Sequence, residues 1–375
     1  MTEMRIPLSS PDIDEDDIAA VVGVLRTSRL SLGPVLGEFE REFAAYIGAA
    51  HAVAVSSGTA GLHLALLASG IGVGDEVIVP SFTFIAAANA IRYVGGVPVF
   101  VDIDPATLNM DPDCVERAVT SRTRAVIVVH TFGVPAELDA LLEIARRHRL
   151  RVIEDACEAI GAEYRGRKVG SFGDCGVFAF YPNKQMTTGE GGMVVTDRED
   201  VDSALRSLRN QGRRATDDWL EHSDLGYNYR ISEMNCALGL SQLRRIDGIL
   251  ARRAEVAAEY DRRLTGCEAL VLPPLSIPDR SISWFVYMVR LDINFSAEHR
   301  DTVRSSLIAR GIGCGRYFAP IHLQPAYRSI VSSPRLPVTE GEAERTLALP
   351  FLNRITSEQI GEVCDALLVA VRGET

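Results

Sequence analysis

HAVAVSSGTAGLHLALLASG (residues 51–70) changes period half-way. HAVAVSS has the short β-rich character of a strand, TAGLHLALLAS that of a helix, and a Ser/Gly/Thr turn joins them. Working outward, DEVIVP (75–80) and FIAAANAIRYVG (84–95) repeat the pair. VPVFVDI (97–103), RAVIVVH (124–130) and RVIEDA (151–156) are further strand-like runs. Leu138, Leu141, Leu142 and Ala145 mark one face of an amphipathic helix ahead of RVIEDA. Strands alternating with helices at this spacing predict a mainly parallel sheet covered on both faces.

The rhythm changes near Gly170. CGVFAF (175–180) and GGMVVTD (191–197) are two strands joined by a loop that carries Lys184, with no room for a helix between them. A long helical stretch is expected over 232–264, then a Pro/Ser-rich passage, LPPLSIPDRSIS (272–283). WFVYMVRLDI, RDTVRSSLIARGI and EQIGEVCDALLVAV complete a smaller α+β domain. The expected division is 1–250 for a large domain with an N-terminal arm and 251–375 for the small one.

The chain has 375 residues, 47% hydrophobic and 24% charged, with a net charge of −11. This composition fits a globular protein and offers no basic surface for nucleic acid or anionic membranes. No apolar run reaches membrane-spanning length, and the first residues lack the pattern of a signal peptide. Seven cysteines are scattered without a CxxC pair, so reduced thiols in the cytoplasm are expected, with no metal site.

In an open α/β sheet, ligands bind beyond the carboxyl ends of the strands. The residues that follow the strands here are Ser56-Ser57-Gly58-Thr59, Ser81 to Phe84, His130, Asp155 with Glu158, and Lys184. SSGTAG entering a helix is either an anion cradle or a simple N-cap by Ser57 or Thr59. Asp155 could bond a protonated ring nitrogen, hold Mg²⁺, or cap the next segment. His130 is either a site residue or a strand-end histidine satisfied by backbone. Lys184 weighs most. The chain has two lysines, Lys168 and Lys184, against 37 arginines. Arginine neither loses its proton nor forms an imine, whereas lysine does both. Lys168, among Arg and Gly in YRGRKVGSFGD, is a surface turn. An anion cradle, a strand-end aspartate and an isolated amine are the parts of a pyridoxal 5′-phosphate (PLP) site.

VSSGTAGLHLAL, PSFTFIAAANAI, VIEDACEAIGA, FAFYPNKQMTTGEGGMVVT, LGYNYRISEMNCALGLSQL and YFAPIHLQPAY, in this order, resemble the DegT/DnrJ/EryC1/StrS family of PLP-dependent nucleotide-sugar aminotransferases. The resemblance covers almost the whole chain. It implies an α/β protein of the PLP-dependent transferase fold type I: a large domain with a mostly parallel seven-stranded sheet, a smaller C-terminal α+β domain, and a homodimer with shared active sites. It also implies that Lys184 bonds the cofactor and moves the proton, and that Asp155 pairs with the pyridinium nitrogen. Gly58 and Thr59 would hold the phosphate, Phe84 would stack on the ring, and Asn228 would reach the phosphate in the neighbouring subunit. Arg230, Tyr317 and His322 are the implied substrate residues.

Two positions depart from the family's commonest pattern. Ala179 stands where many members have a phosphate-binding Ser, and Glu158 stands in the cofactor shell where many have Gln. The second feature resembles the perosamine-synthase-like branch. The implied reaction moves an amino group from L-glutamate, leaving 2-oxoglutarate, to C4 of a nucleotide-diphosphate 4-keto-6-deoxyhexose. A 3-keto sugar or an aminocyclitol ketone is the alternative acceptor. A non-catalytic PLP-binding regulator and a metal hydrolase built on His130, Asp155 and Glu158 are the alternatives of other classes. Loop residues 328–338 are expected to bear on acceptor choice.

Overall fold

The computed structural model describes residues 4–328 and 335–373. Its strands are β1 (His51–Val55), β2 (Glu76–Pro80), β3 (Val97–Val101), β4 (Thr123–Val129), β5 (Arg151–Asp155), β6 (Glu163–Tyr164), β7 (Arg167–Lys168), β8 (Cys175–Ala179), β9 (Gly192–Thr196), β10 (Leu270–Val271), β11 (Arg280–Ser281), β12 (Tyr287–Leu291) and β13 (Thr346–Leu349). Seven form one sheet in the order β1-β9-β8-β5-β4-β2-β3. The pairings that join β3, β2, β4, β5 and β8 are parallel, and β9 is antiparallel to both its neighbours. The carboxyl ends of β1, β2, β4, β5 and β8 therefore meet at one rim, together with the start of β9.

The sheet is buried on both faces because its side chains alternate. In β4, Val126 and Val128 enter one core while Ala125, Ile127 and Val129 enter the other. The first core holds Leu36, Phe39 and Phe43 of the helix Pro34–Ile47, with Leu138 and Leu141 of the helix Leu138–His148. The helix Gly58–Ala68 lies on the opposite face and is buried along most of its length. Gly61 permits that approach, since a Cβ there would stand 2.8 Å from Val177 Cγ1.

A separate core is built on β12 and β13, with Val303 and Leu307 of the helix Ala297–Ala309 and Ile360, Val363 and Leu367 of the helix Ser357–Arg372. Ile6 belongs to this core and pairs with Ile312, so the N-terminal segment reaches the small unit. The helical stretch 232–264 is two helices, Glu233–Arg244 and Ile246–Leu264. They part at Arg245, whose guanidinium pairs with Asp12, Asp14 and Asp17 of the N-terminal arm. The second helix serves both cores: Ile246 and Ile249 pack in the first, Val256 and Tyr260 in the other. Residue 250 thus falls inside a helix. The Pro/Ser-rich passage is also more than a link, because its β11 pairs with β6 of the β6–β7 hairpin. The helix Glu199–Arg209 was not marked by the sequence reading.

Candidate active site

At the rim lies a cavity of about 370 Å³, lined by residues that include Ser57, Gly58, Thr59, Phe84, Asp155, Glu158, Ala179 and Lys184. These come from the ends of four strands, as the topology requires. The helix Gly58–Ala68 begins here, and its first N–H groups, those of Gly58 and Thr59, have no carbonyl one turn back to receive them. Ser57 caps the helix by accepting the Ala60 N–H at 3.1 Å. The turn is therefore both a cap and an open set of donors, the arrangement that binds a phosphate.

Close packing keeps this cradle narrow. A Cβ on Gly58 would stand 2.7 Å from Ala179 Cβ and 3.0 Å from Cys157 Sγ. One on Gly192, at the start of β9, would stand 2.8 Å from the Gly58 nitrogen. A side chain at either glycine would displace the donors.

Lys184 sits in the β8–β9 loop, with its Nζ 3.4 Å from Glu158 Oε1 and 4.1 Å from the centre of the Phe285 ring. The loop is pinned beside it. Gln185 Nε2 donates to the Glu158 carbonyl at 2.6 Å and to Ser283 Oγ at 3.0 Å, tying the lysine loop to the turn after β5 and to the segment before β12. Glu158 Oε2 accepts the Phe132 N–H at 3.0 Å. Burial raises the Glu158 carboxyl above its ordinary range, an effect that Lys184 partly offsets. Asp155 is 8% exposed, and its Oδ1 accepts the Cys157 N–H at 3.1 Å.

Phe84 lines the cavity and is 61% exposed. Tyr317 also lines it, with its hydroxyl pushed above the ordinary range by burial. Asn228, Arg230 and His322 do not line it. Asn228 is exposed and bridges to Asn210, and Arg230 Nη1 donates to Asn210 Oδ1 at 3.0 Å. The neighbouring Tyr229 carbonyl accepts the Ser56 N–H at 2.9 Å, which places this strip beside the cradle. His322 is 1% exposed, behind the wall rather than in it. Of loop 328–338, residues 329–334 lie outside the described residues.

His130 is fully buried; its Nε2 lies 3.1 Å from Glu154 Oε2 and its Nδ1 accepts the Ala136 N–H at 3.1 Å. It stays outside the cavity, which leaves the metal-hydrolase reading without its histidine. Among the described residues no group of three His, Cys, Asp or Glu side chains is placed to hold a metal ion. Lys168 lies in β7 with its Nζ 4.9 Å from the Tyr46 ring centre.

The sequence reading missed Tyr181, Asn183, Glu190, Phe285 and Phe318. Tyr181 and Asn183 flank Lys184 in FYPNK, so their place was available from adjacency. Phe285 and Phe318 arrive by packing of the small unit and leave no local signal.

The model of the DegT/DnrJ/EryC1/StrS aminotransferase family matches residues 11–368. The chain belongs to that family. A GDP-perosamine synthase from Caulobacter vibrioides is 42% identical over 369 residues, 97% of each chain. The solved structure of S. venezuelae DesV, in complex with a ketimine intermediate, is 40% identical with a TM-score of 0.91 over 99% of both chains. The PMP form of Spr1654 from Streptococcus pneumoniae is 28% identical with a TM-score of 0.94 over 98% of both. As a DegT-family protein the chain is a PLP-dependent sugar aminotransferase. The site fits that cofactor: an open helix N-terminus at glycines with no space for a side chain, and an amine and a buried aspartate on the same cavity. Among the described residues no helix is long and apolar enough to cross a membrane.

Proposed function

We propose that this aminotransferase moves an amino group from L-glutamate to C4 of a nucleotide-diphosphate 4-keto-6-deoxyhexose, working as a cytoplasmic homodimer. The observation that carries the reading is Lys184, an amine held at 3.4 Å from Glu158 on a cavity that also opens on the Gly58–Thr59 donors and Asp155. The 42% identity to a GDP-perosamine synthase supports the C4 acceptor and makes the GDP-linked sugar the first to test.

Each side chain has a definite task in this reading. Gly58 and Thr59 donate N–H groups to the cofactor phosphate, and the helix dipole adds to their hold. Asp155 keeps a proton on the ring nitrogen, and Phe84 covers the ring face. PLP supplies the electron sink that makes the donor's Cα proton labile. Lys184 would hold the cofactor through its amine at rest and, as a free amine, would take the donor's Cα proton and deliver it to the cofactor's C4′ carbon. Glu158 sets the charge beside that amine.

Among the described residues that line the cavity, Lys184 is the one basic side chain. An anionic donor and a diphosphate acceptor need more, which supports a second copy bringing Asn228 to the phosphate and Arg230 to a substrate anion. Trp219, Leu220 and Leu225, at 78%, 81% and 89% exposure, add apolar surface that a second copy would cover. Turnover of GDP-, dTDP- and UDP-linked 4-keto-6-deoxyhexoses with L-glutamate, with the product read by NMR, tests the proposal. It expects the amine at C4 and one 2-oxoglutarate per product. An amine at C3, or turnover only with a cyclitol ketone, would replace it with the alternative acceptors.

A further inference from the structure

Ser81 follows the last residue of β2, is fully buried, and lies three residues before Phe84. Its Oγ is 2.7 Å from Nδ1 of His322 and accepts the His322 backbone N–H at 3.1 Å. Its carbonyl accepts the Ile321 N–H at 3.0 Å. Across the ring, Nε2 stands 3.4 Å from Oε1 of Glu340, which also accepts the Leu336 N–H at 2.9 Å. One imidazole therefore ties the end of β2 to the segment after Tyr317 and to the start of the helix Pro337–Arg345.

The contacts select a tautomer. A buried hydroxyl proton needs an acceptor, and with Oγ already receiving an N–H the acceptor at hand is Nδ1. The ring proton then resides on Nε2, facing the Glu340 carboxylate. A second proton would sit on Nδ1 facing the Ser81 hydroxyl proton, so the hydroxyl must turn away and the Ser81 side of the arrangement opens while the Glu340 side is kept. Among the described residues, the groups that face the ring include Ser81, Glu340, Asp102 and the Phe100 ring, with Arg335 next to Glu340. Asp102 accepts the Val338 and Thr339 N–H groups at 3.0 and 2.7 Å, so its charge is also engaged at the helix start. Burial disfavours a charged ring; Glu340 and, more weakly, Asp102 oppose that effect.

Both sides of this contact carry cavity walls. Thr83 and Phe84 belong to the Ser81 turn, and Tyr317 and Phe318 precede the His322 segment. Phe82 and Phe318 meet edge to face at 6.0 Å, so the two walls touch as well. We propose that Ser81, His322 and Glu340 form a latch, closed by the neutral Nε2–H imidazole, that positions both aromatic walls and opens at its Ser81 side when His322 takes a second proton. His322 is then a positioning residue. The latch stands on geometry alone; its kinetic consequence rests on the cavity being the acceptor site.

The test is amide hydrogen exchange by mass spectrometry on the PLP-loaded protein from about pH 8 to about pH 5, corrected for the chemical exchange rate. In the unmodified protein, exchange in 81–86 and 315–328 should rise together as pH falls through the imidazole range, while 181–191 stays unchanged. Ser81→Ala and His322→Gln should hold both segments open at every pH, roughly tenfold faster than the closed state. Segments that respond separately, or no pH dependence in the unmodified protein, would overturn the latch. The same variants should raise KM for the keto-sugar by a larger factor than they slow the L-glutamate half-reaction. Coupled exchange without that KM effect would keep the latch and count against the cavity as acceptor site.

Discussion

Nζ of Lys184 and Oε1 of Glu158 stand 3.4 Å apart, an amine and a carboxyl both withdrawn from water at the cavity wall. Burial outweighs the lysine in its effect on the acid, so the Glu158 carboxyl is raised. An acid raised by folding favours the folded state below its unfolded pKa, and that contribution is lost as pH rises through the folded value.

Glu158→Gln should therefore gain stability relative to the unmodified protein as pH increases. Gln keeps an acceptor for the Phe132 N–H and removes the ionisation. Thermal unfolding of the cofactor-free proteins at about pH 5 and about pH 8 measures this. A variant that loses ground towards high pH would show that Lys184, not burial, governs this acid.

Gly58→Ala should weaken PLP binding by at least about tenfold and cost about 1–3 kcal/mol of stability, as overpacking does. The new methyl would meet Ala179 Cβ at 2.7 Å, so the helix start must move. Titration with PLP followed by absorbance, alongside urea unfolding, reads both effects. Unchanged PLP affinity would remove the phosphate from this turn.

Ala179→Ser tests the opposite change at the same contact. The hydroxyl would restore the ligand many family members carry, and a hydrogen bond to a charged group is worth about 1.5–3 kcal/mol. Crowding against Gly58 offsets part of that gain, leaving PLP bound roughly fivefold more tightly. No change in affinity would mean that the phosphate does not reach position 179.

Much of this site was legible because its parts are local. The strand-to-helix turn at Ser57–Thr59, the aspartate closing β5 and the lysine after β8 each follow a recognisable strand, and a parallel sheet must gather such ends at one rim. The unseen parts depend on distant contacts. Phe285 reaches Lys184 only because the small unit packs over the rim. The helix break at Arg245 belongs to three aspartates more than 200 residues earlier in the chain. His322 sits in a motif whose neighbours Tyr317 and Phe318 do line the cavity, yet its ring turns to Ser81.

Phe285→Ala should lower kcat/KM about tenfold. The ring centre lies 4.1 Å from Lys184 Nζ at the cavity wall, so its removal loosens the reacting nitrogen, and misplacing a reacting group costs up to about a hundredfold. Phe285→Tyr keeps the aromatic face and should retain most of the activity. Equal losses in both variants would show that packing by this aromatic ring does not set the position of Lys184.

The chemistry proposed for this site depends on Lys184 bonding PLP. Borohydride reduction of the PLP-loaded protein, followed by peptide mass mapping, tests it directly, because the chain offers only Lys168 and Lys184 as lysine attachment points. The reduced cofactor should appear on the peptide containing Lys184, with none on Lys168, and should disappear together with turnover in Lys184→Ala. Cofactor found on Lys168, or turnover that survives Lys184→Ala, would contradict that bond.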